Sequence, residues 1–254
     1  MERIDKIIAS QGQYSRSEVK KLIKSGRVTL DGRILKSSDE KADPDKNDIA
    51  IDGKSIGYKK HIYIMLNKPQ GVVSATDDRD HKTVIDLVPA ELKRDGLFPA
   101  GRLDGDTVGF VLITDDGDFA HRILSPKNHI MKTYHATLQR ELTQDDIDAF
   151  RNGIELKDGT LCLEAEVSPI EGDVPMAQVK ICEGKYHQVK RMFAALGNKV
   201  VYLKRVKMGS LSLDESLEEG QCREITKEEL GLITLKRSHP LRHINLIKFS
   251  TVKP

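Results

Sequence analysis

Tryptophan is absent from this 254-residue chain, and aromatic residues make up only 5% of it. Cysteine is scarce as well. Cys162, Cys182 and Cys222 are odd in number, at spacings that match neither a disulfide framework nor a zinc knuckle, so reduced structural thiols are expected. The eight histidines include no His-Glu-x-x-His pair, and His121, His129 and His135 recur at no ligand spacing, so no metal is expected. No apolar run approaches the roughly 20 residues that span a bilayer, and Met1-Glu2-Arg3-Ile4-Asp5 opens too polar for a signal peptide. The expectation is a cytoplasmic chain with no membrane partner. There is no internal repeat, and no Walker or dinucleotide glycine loop to hold a nucleotide or redox cofactor.

What is present describes a soluble globular protein. Hydrophobic residues make up 38% and charged residues 31%, and the length suits two domains better than one. The net charge of +2 hides an uneven distribution. Residues 1–36 carry nine Lys/Arg against four Asp/Glu, residues 37–56 carry three against six, and the stretch from Lys236 to Pro254 holds five basic residues and no acid. Basic surface gathered at one end suits a polyanion, because each phosphate neutralised releases counterions. A solvated helix face is the commoner meaning of such a stretch.

At the N-terminus, Ile4, Ile7 and Ile8 fall at helical spacing, and Gly12 can supply the left-handed residue that ends a short helix. Ser15-Arg16-Ser17-Glu18 is a capping box that opens a second helix with Val19, Leu22 and Ile23 as its buried stripe. Arg27–Leu30 and Arg33–Leu35 flank Asp31-Gly32, a dipeptide suited to a tight hairpin, and Ile49-Ala50-Ile51 reads as a third strand ending at Asp52-Gly53. This order of helix, helix and hairpin resembles the S4 RNA-binding module. The resemblance implies that the second helix and the start of the hairpin face RNA, with Arg3, Arg16, Lys20, Lys21 and Arg27 at its basic positions.

Residues 58–61 read as a linker, with a small interface expected to leave the module free to move. Beyond it, Ile62–Leu66, Phe110–Thr114, Tyr134–Leu138 and Val179–Ile181 read as strands. Thr143 and Thr226 cap helices, and Val189, Met192, Phe193 and Leu196 form a helical stripe ending at Gly197. Strands joined by short turns outnumber helices, which predicts an α+β fold on a mixed, mainly antiparallel sheet. Gly101-Arg102-Leu103-Asp104 places one acid, flanked by Arg and Leu, in a loop anchored by the following strand. A carboxylate held there can be stripped of water and act on a substrate. Asp106, at i, i+2, is expected to point away from it.

Four further segments then fall into order with Gly101–Asp104: Leu66–Gly71, Lys132-Thr133-Tyr134, Glu183–Phe193 and Leu203-Lys204-Arg205. Together they resemble the pseudouridine synthases of the RsuA/RluA superfamily, up to about residue 234, and most closely the RsuA type that acts on small-subunit ribosomal RNA. The resemblance implies S4-like residues 1–57, a linker at 58–61, a catalytic domain at 62–234 and a basic tail at 235–254. It also implies an isomerisation in which uracil leaves C1′ of its ribose, rotates, and rejoins through C5, with nothing entering or leaving, so that no cofactor is needed.

In that scheme Asp104 is the catalytic carboxylate, acting as nucleophile, as stabiliser of a cation-like ribose, or through loss of a C2′ proton. Tyr134 is the active-site tyrosine, and Lys190 the cation that keeps Asp104 ionised, a point charge where many relatives have arginine. Arg102 approaches the gap left by the flipped uridine, Arg191 takes a phosphate, and Leu203 packs beneath the ring. Arg191 and Lys190 differ by about 100° of helix rotation, so both are not expected at one carboxylate. The implied partner is 16S rRNA in an assembling particle, met by a monomer. Alternatives are the same chemistry on 23S rRNA and an RNA-binding assembly factor without catalysis. A hydrolase pairing Asp104 with Asp106 is disfavoured, for want of an aromatic sugar platform. The tail, with Arg237, His239, Arg242, His243, Lys248 and Lys253, is expected to add nonspecific RNA affinity.

Overall fold

Ile4, Ile7 and Ile8 lie on one face of helix α1 (Ile4–Ala9), and all three are buried in the computed structural model, which describes residues 1–234. The basic tail lies outside the described residues. Helix α2 (Arg16–Lys24) opens with the expected capping box, in which the Ser15 hydroxyl accepts from the Glu18 amide and Glu18 accepts from the Ser15 amide at 2.7 Å. Its apolar stripe of Val19, Leu22 and Ile23 is buried, while Arg16, Lys20, Lys21 and Lys24 are exposed. Asp31 and Gly32 both take positive φ (50° and 79°), as a type I′ turn requires, and join strands Val28–Leu30 and Arg33–Ile34. Asp52 and Gly53 repeat the device between Ile49–Ile51 and Lys54–Ser55. These pieces close a small core of their own, from Ile4 to Ile51.

The segment expected to be a loose linker is pinned. The Gln11 side chain bonds the backbone of Lys59 in both directions, at 2.9 and 3.3 Å. Arg94 donates to the carbonyls of Lys59 and Lys60, each at 3.1 Å, and pairs with Asp115 at 2.9 Å. Gly12 (φ +85°) comes so close that a Cβ there would fall 2.1 Å from the Lys93 carbonyl oxygen. Glycine at this position therefore serves the approach of the two parts as well as the helix end.

The larger part is a nine-stranded sheet whose main path runs Glu166–Ile170, Met176–Ile181, Lys132–Leu138, Val200–Met208, Val108–Thr114, Tyr63–Lys68 and Cys222–Glu224. Neighbours pair antiparallel except Val108–Thr114 with Val200–Met208, which run parallel. Along the central strands the side chains alternate between two cores: Ile64, Leu66, Val111 and Ile113 enter one, and Met65, Phe110 and Leu112 the other. Helices cover both faces. Helix α3 (Gly117–Leu124) brings Phe119 and Ile123 to the second core; α4 (Gln144–Asn152), capped by Thr143, and α5 (Gln188–Ala195) bring Phe150, Met192 and Phe193 to the first; α6 (Lys227–Thr234) returns Ile233 to the second. The α+β expectation holds, and burial on both faces explains the continuous apolar run from Phe110 to Ile113.

The parallel contact depends on Gly109. Its φ is +97°, and a Cβ there would lie 2.3 Å from the carbonyl oxygen of Arg205. Both the left-handed backbone and the lack of space oppose any side chain. Gly109→Ala is expected to cost about 2 kcal/mol or more of folding stability. Urea unfolding of the two proteins measures it, and an unchanged midpoint would contradict this account.

Candidate active site

Strand Tyr63–Lys68 ends in a lysine whose side chain is wholly buried. Its ammonium donates to the carbonyls of Pro69, Asp104, Gly105 and Thr107 at 2.9–3.2 Å. Burial pushes Lys68 down to about 8, against the pull of the Asp106 and Asp104 carboxylates. Two further ties hold the same loop. The Gly71 amide donates to the Gly105 carbonyl at 2.8 Å, and the Ser74 hydroxyl bonds both the amide and the carbonyl of Leu103 at 3.0 Å. Backbone oxygens of the loop are thus satisfied on the inner side, and the Asp104 carboxylate is left at a cleft with 26% of its side chain exposed.

Sheet register brings the next two groups alongside. Ala136 pairs with Leu203, so their side chains share a face, and Tyr134 shares it too, being two residues from Ala136. Tyr134 and Leu203 are both buried and line the cleft with Asp104, while Arg102 lines it from an exposed position. Thr107 also lines it, and its hydroxyl has no hydrogen-bond partner among the described residues.

Helix α5 supplies the cation. Lys190 Nζ lies 3.2 Å from Asp104 Oδ2 and 2.5 Å from Asp106 Oδ1. The expectation that Asp104 and Asp106 diverge is therefore wrong. The chain turns at this point, with the Thr107 amide donating to the Asp104 carbonyl at 3.1 Å, so the i, i+2 pair is not laid out as in a strand and both acids reach one ammonium. Lys190 holds the Asp106 carboxyl below its usual range. Arg191 faces elsewhere, as the rotation argument requires, pairing with Asp158 at 2.5 Å and donating to the Tyr186 carbonyl at 3.2 Å.

His187, Lys68 and Ser74 are residues that sequence reasoning did not single out, and Asp106 was considered there only as an acid pointing away from Asp104. His187 caps α5 in the left-handed conformation (φ 48°), and its Nε2 lies 3.5 Å from Asp104 Oδ1. The loop before it is anchored by buried Glu183, which accepts from the Leu163 amide and the Gln188 amide group and pairs with Lys185. Asp106 could have been found, since a basic residue matched to Asp104 also lies within reach of its neighbour. Lys68 had no local signal.

Of the residues read as RNA-facing, Arg3 is paired with Asp5 and Asp39, and Arg27 with Asp52. Arg16, Lys20 and Lys21 lie exposed on α2. Among the described residues no cluster of metal-ligating side chains occurs, and no helix is long and apolar enough to cross a membrane.

A family model described as RNA pseudouridylate synthase matches residues 62–195, and an S4 domain model matches residues 2–46. An uncharacterised RNA pseudouridine synthase of Bacillus subtilis (strain 168) is 46% identical over 233 residues, covering 91% of this chain and 98% of its own. The ribosomal small subunit pseudouridine synthase A of Escherichia coli (strain K12) is 43% identical over 238 residues, covering 91% of this chain and 99% of its own. A crystal structure of a pseudouridylate synthase, 40% identical, superposes with a TM-score of 0.63, covering 92% of this chain and all of the other.

Two outcomes are expected at this site. Lys68→Met takes the ammonium from four carbonyls, of which only those of Asp104 and Gly105 keep a backbone amide donor named above, and is expected to cost about 2 kcal/mol or more in urea unfolding, with loss of activity. A variant of wild-type stability would contradict the cage. In Lys190→Met the Asp106 carboxyl is expected to titrate at higher pH than in the wild type, read by carbon-detected NMR; an unmoved titration would show that Lys190 does not hold it down.

Proposed function

The chain belongs to the RNA pseudouridylate synthase family, and from that premise we propose that it isomerises one uridine of 16S ribosomal RNA with Asp104 as the catalytic carboxylate. The observation that carries the reading is the convergence of Asp104, Lys190, Tyr134 and Leu203 on one cleft. Reaching a uridine there requires it to leave its stack, which costs a few kcal/mol. Arg102, exposed at the cleft, offsets this by entering the space vacated in the RNA.

Once the base is in, the C1′–N1 bond breaks and a C1′–C5 bond forms; C5 loses a proton and N1 gains one. Charge develops on the ribose, and an anion beside C1′ stabilises it or attacks it. Lys190 lies against that anion with its ammonium shared between Asp104 and Asp106. Tyr134 offers a ring for the uracil face and a hydroxyl for the sugar side, and Leu203 supplies the apolar floor. Arg191 takes a phosphate by leaving Asp158, an exposed partner whose loss costs little.

Residues 1–57 serve as the RNA-binding unit, 58–61 as the connection and 62–234 as the catalytic unit. The exposed face of α2, with Arg16, Lys20 and Lys21, meets RNA first; Arg27 joins by exchanging Asp52 for phosphate, and Arg3 by exchanging the exposed Asp39 while keeping the buried Asp5. The relatives named for the ribosomal small subunit support 16S rRNA as the target, and the proposal adds that a monomer acts on it in the cytoplasm.

The test incubates wild-type protein and Asp104→Asn with unmodified small-subunit rRNA and particles, then maps pseudouridine by carbodiimide-dependent primer extension. One stop in 16S rRNA with the wild type and none with Asp104→Asn, at unchanged RNA affinity, is the expected result. A stop that survives the substitution would remove Asp104 from the reaction. A stop found instead in 23S rRNA would change the target, and none in either would leave an RNA-binding assembly factor.

A further inference from the structure

Tyr186 is 75% exposed, the most exposed aromatic side chain among the described residues. It buries too little surface to serve either core, yet it is held in place. Its ring stacks on His187, with centroids 3.8 Å apart and planes 19° from parallel. Its carbonyl accepts from Arg191 at 3.2 Å. The residue after it adopts a left-handed backbone that a non-glycine residue seldom takes. The inner member of the stack, His187, lines the cleft and reaches to 3.5 Å from Asp104 Oδ1. A flat, outward aromatic face is thus fixed at the rim of the cleft that holds the carboxylate.

We propose that Tyr186, backed by His187, is a stacking platform for a nucleobase next to the target uridine, a proposal that rests on the reading of the cleft as a uridine site. Flipping one nucleotide unstacks its neighbours, and every base presents a π-face that an exposed ring can take up without regard to sequence. The buried Tyr134 ring and the exposed Tyr186 ring then divide the task. One meets the uridine inside the cleft, and the other re-stacks a base left outside. The substrate class that fits is single-stranded or locally opened RNA with an intact base beside the uridine.

The probes are two fluorescein-labelled RNA nonamers, each with a central uridine between adenosines; in one of them the two nucleotides flanking the uridine are abasic. Anisotropy gives the affinity of full-length wild type, Tyr186→Ala and Tyr186→Phe for each. At this exposed position neither substitution removes core packing. Tyr186→Ala is expected to bind the intact nonamer about tenfold more weakly than wild type, to show no such loss with the abasic nonamer, and to be rescued by Tyr186→Phe. Equal affinity of wild type and Tyr186→Ala, or the same loss with both RNAs, overturns the platform. Turnover of the wild type on rRNA separates this from the underlying reading. A wild type that forms pseudouridine while Tyr186→Ala binds normally sinks the platform alone. One that forms none while the Tyr186-dependent loss is seen sinks the activity and keeps the stacking site.

Discussion

One buried ammonium organises this candidate active site. Lys68 is fully enclosed and spends its hydrogens on four backbone carbonyls, three of them from the loop Asp104–Thr107. Leaving even one such oxygen unsatisfied costs about 1–3 kcal/mol, against a total stability of about 5–15 kcal/mol for a typical domain. The loop therefore has one low-energy arrangement, with its carbonyl oxygens turned in on Lys68. The carboxylates of Asp104 and Asp106 meet Lys190 from that arrangement. Position of the proposed catalytic acid is in this sense a backbone property, set from a strand that ends 36 residues earlier in the chain.

The cage was illegible in the sequence for the same physical reason that makes it effective. Lysine is among the residues least often fully buried, and between Asn67 and Pro69 at the end of an apolar strand it reads as a polar residue of a turn. Its partners are main-chain atoms, which carry no residue type. Ser15 with Glu18, Asp31-Gly32 and Asp52-Gly53 were legible because each acts locally, through a cap or a positive φ over two to four residues. Tyr134 and Leu203 entered through resemblance, and their shared face follows only from a register between strands that single-sequence patterns do not give. The parallel pairing at Gly109 and Arg205 joins distant segments and has no local mark beyond the glycine. His187 gave no warning, since its role depends on a backbone angle unusual for its residue type.

The basic module shows a related gap between counting charges and placing them. Nine Lys/Arg against four Asp/Glu over residues 1–36 suggested a basic surface gathered at one end of the chain. The acids of residues 37–56 fold back on part of it: Asp39 meets Arg3, and Asp52 meets Arg27. Such pairs are exposed on both sides and contribute little to stability, so phosphate can displace the carboxylate at small cost. Helix α2 differs, because its solvent face is basic at Arg16, Lys20, Lys21 and Lys24 while its apolar stripe is fully used in the core. On the proposed reading, orientation of RNA on the module is set by α2, with the paired arginines as secondary contacts.

Sharing Lys190 between two acids also gives the cleft a direction of response. Asp106 has 64% of its side chain exposed and Asp104 only 26%, so water screens the first contact more than the second. In the proposed reaction, a ribose arriving over Asp104 excludes water there while leaving Asp106 hydrated at the edge. Falling local polarity strengthens the attraction between Lys190 and Asp104, and it raises the cost of leaving that carboxylate unpaired. The cation accordingly shifts its weight toward Asp104 as substrate seats. A lysine suits this better than an arginine, since a compact ammonium on a flexible stem can redistribute between two acids, whereas a planar fork locks on one.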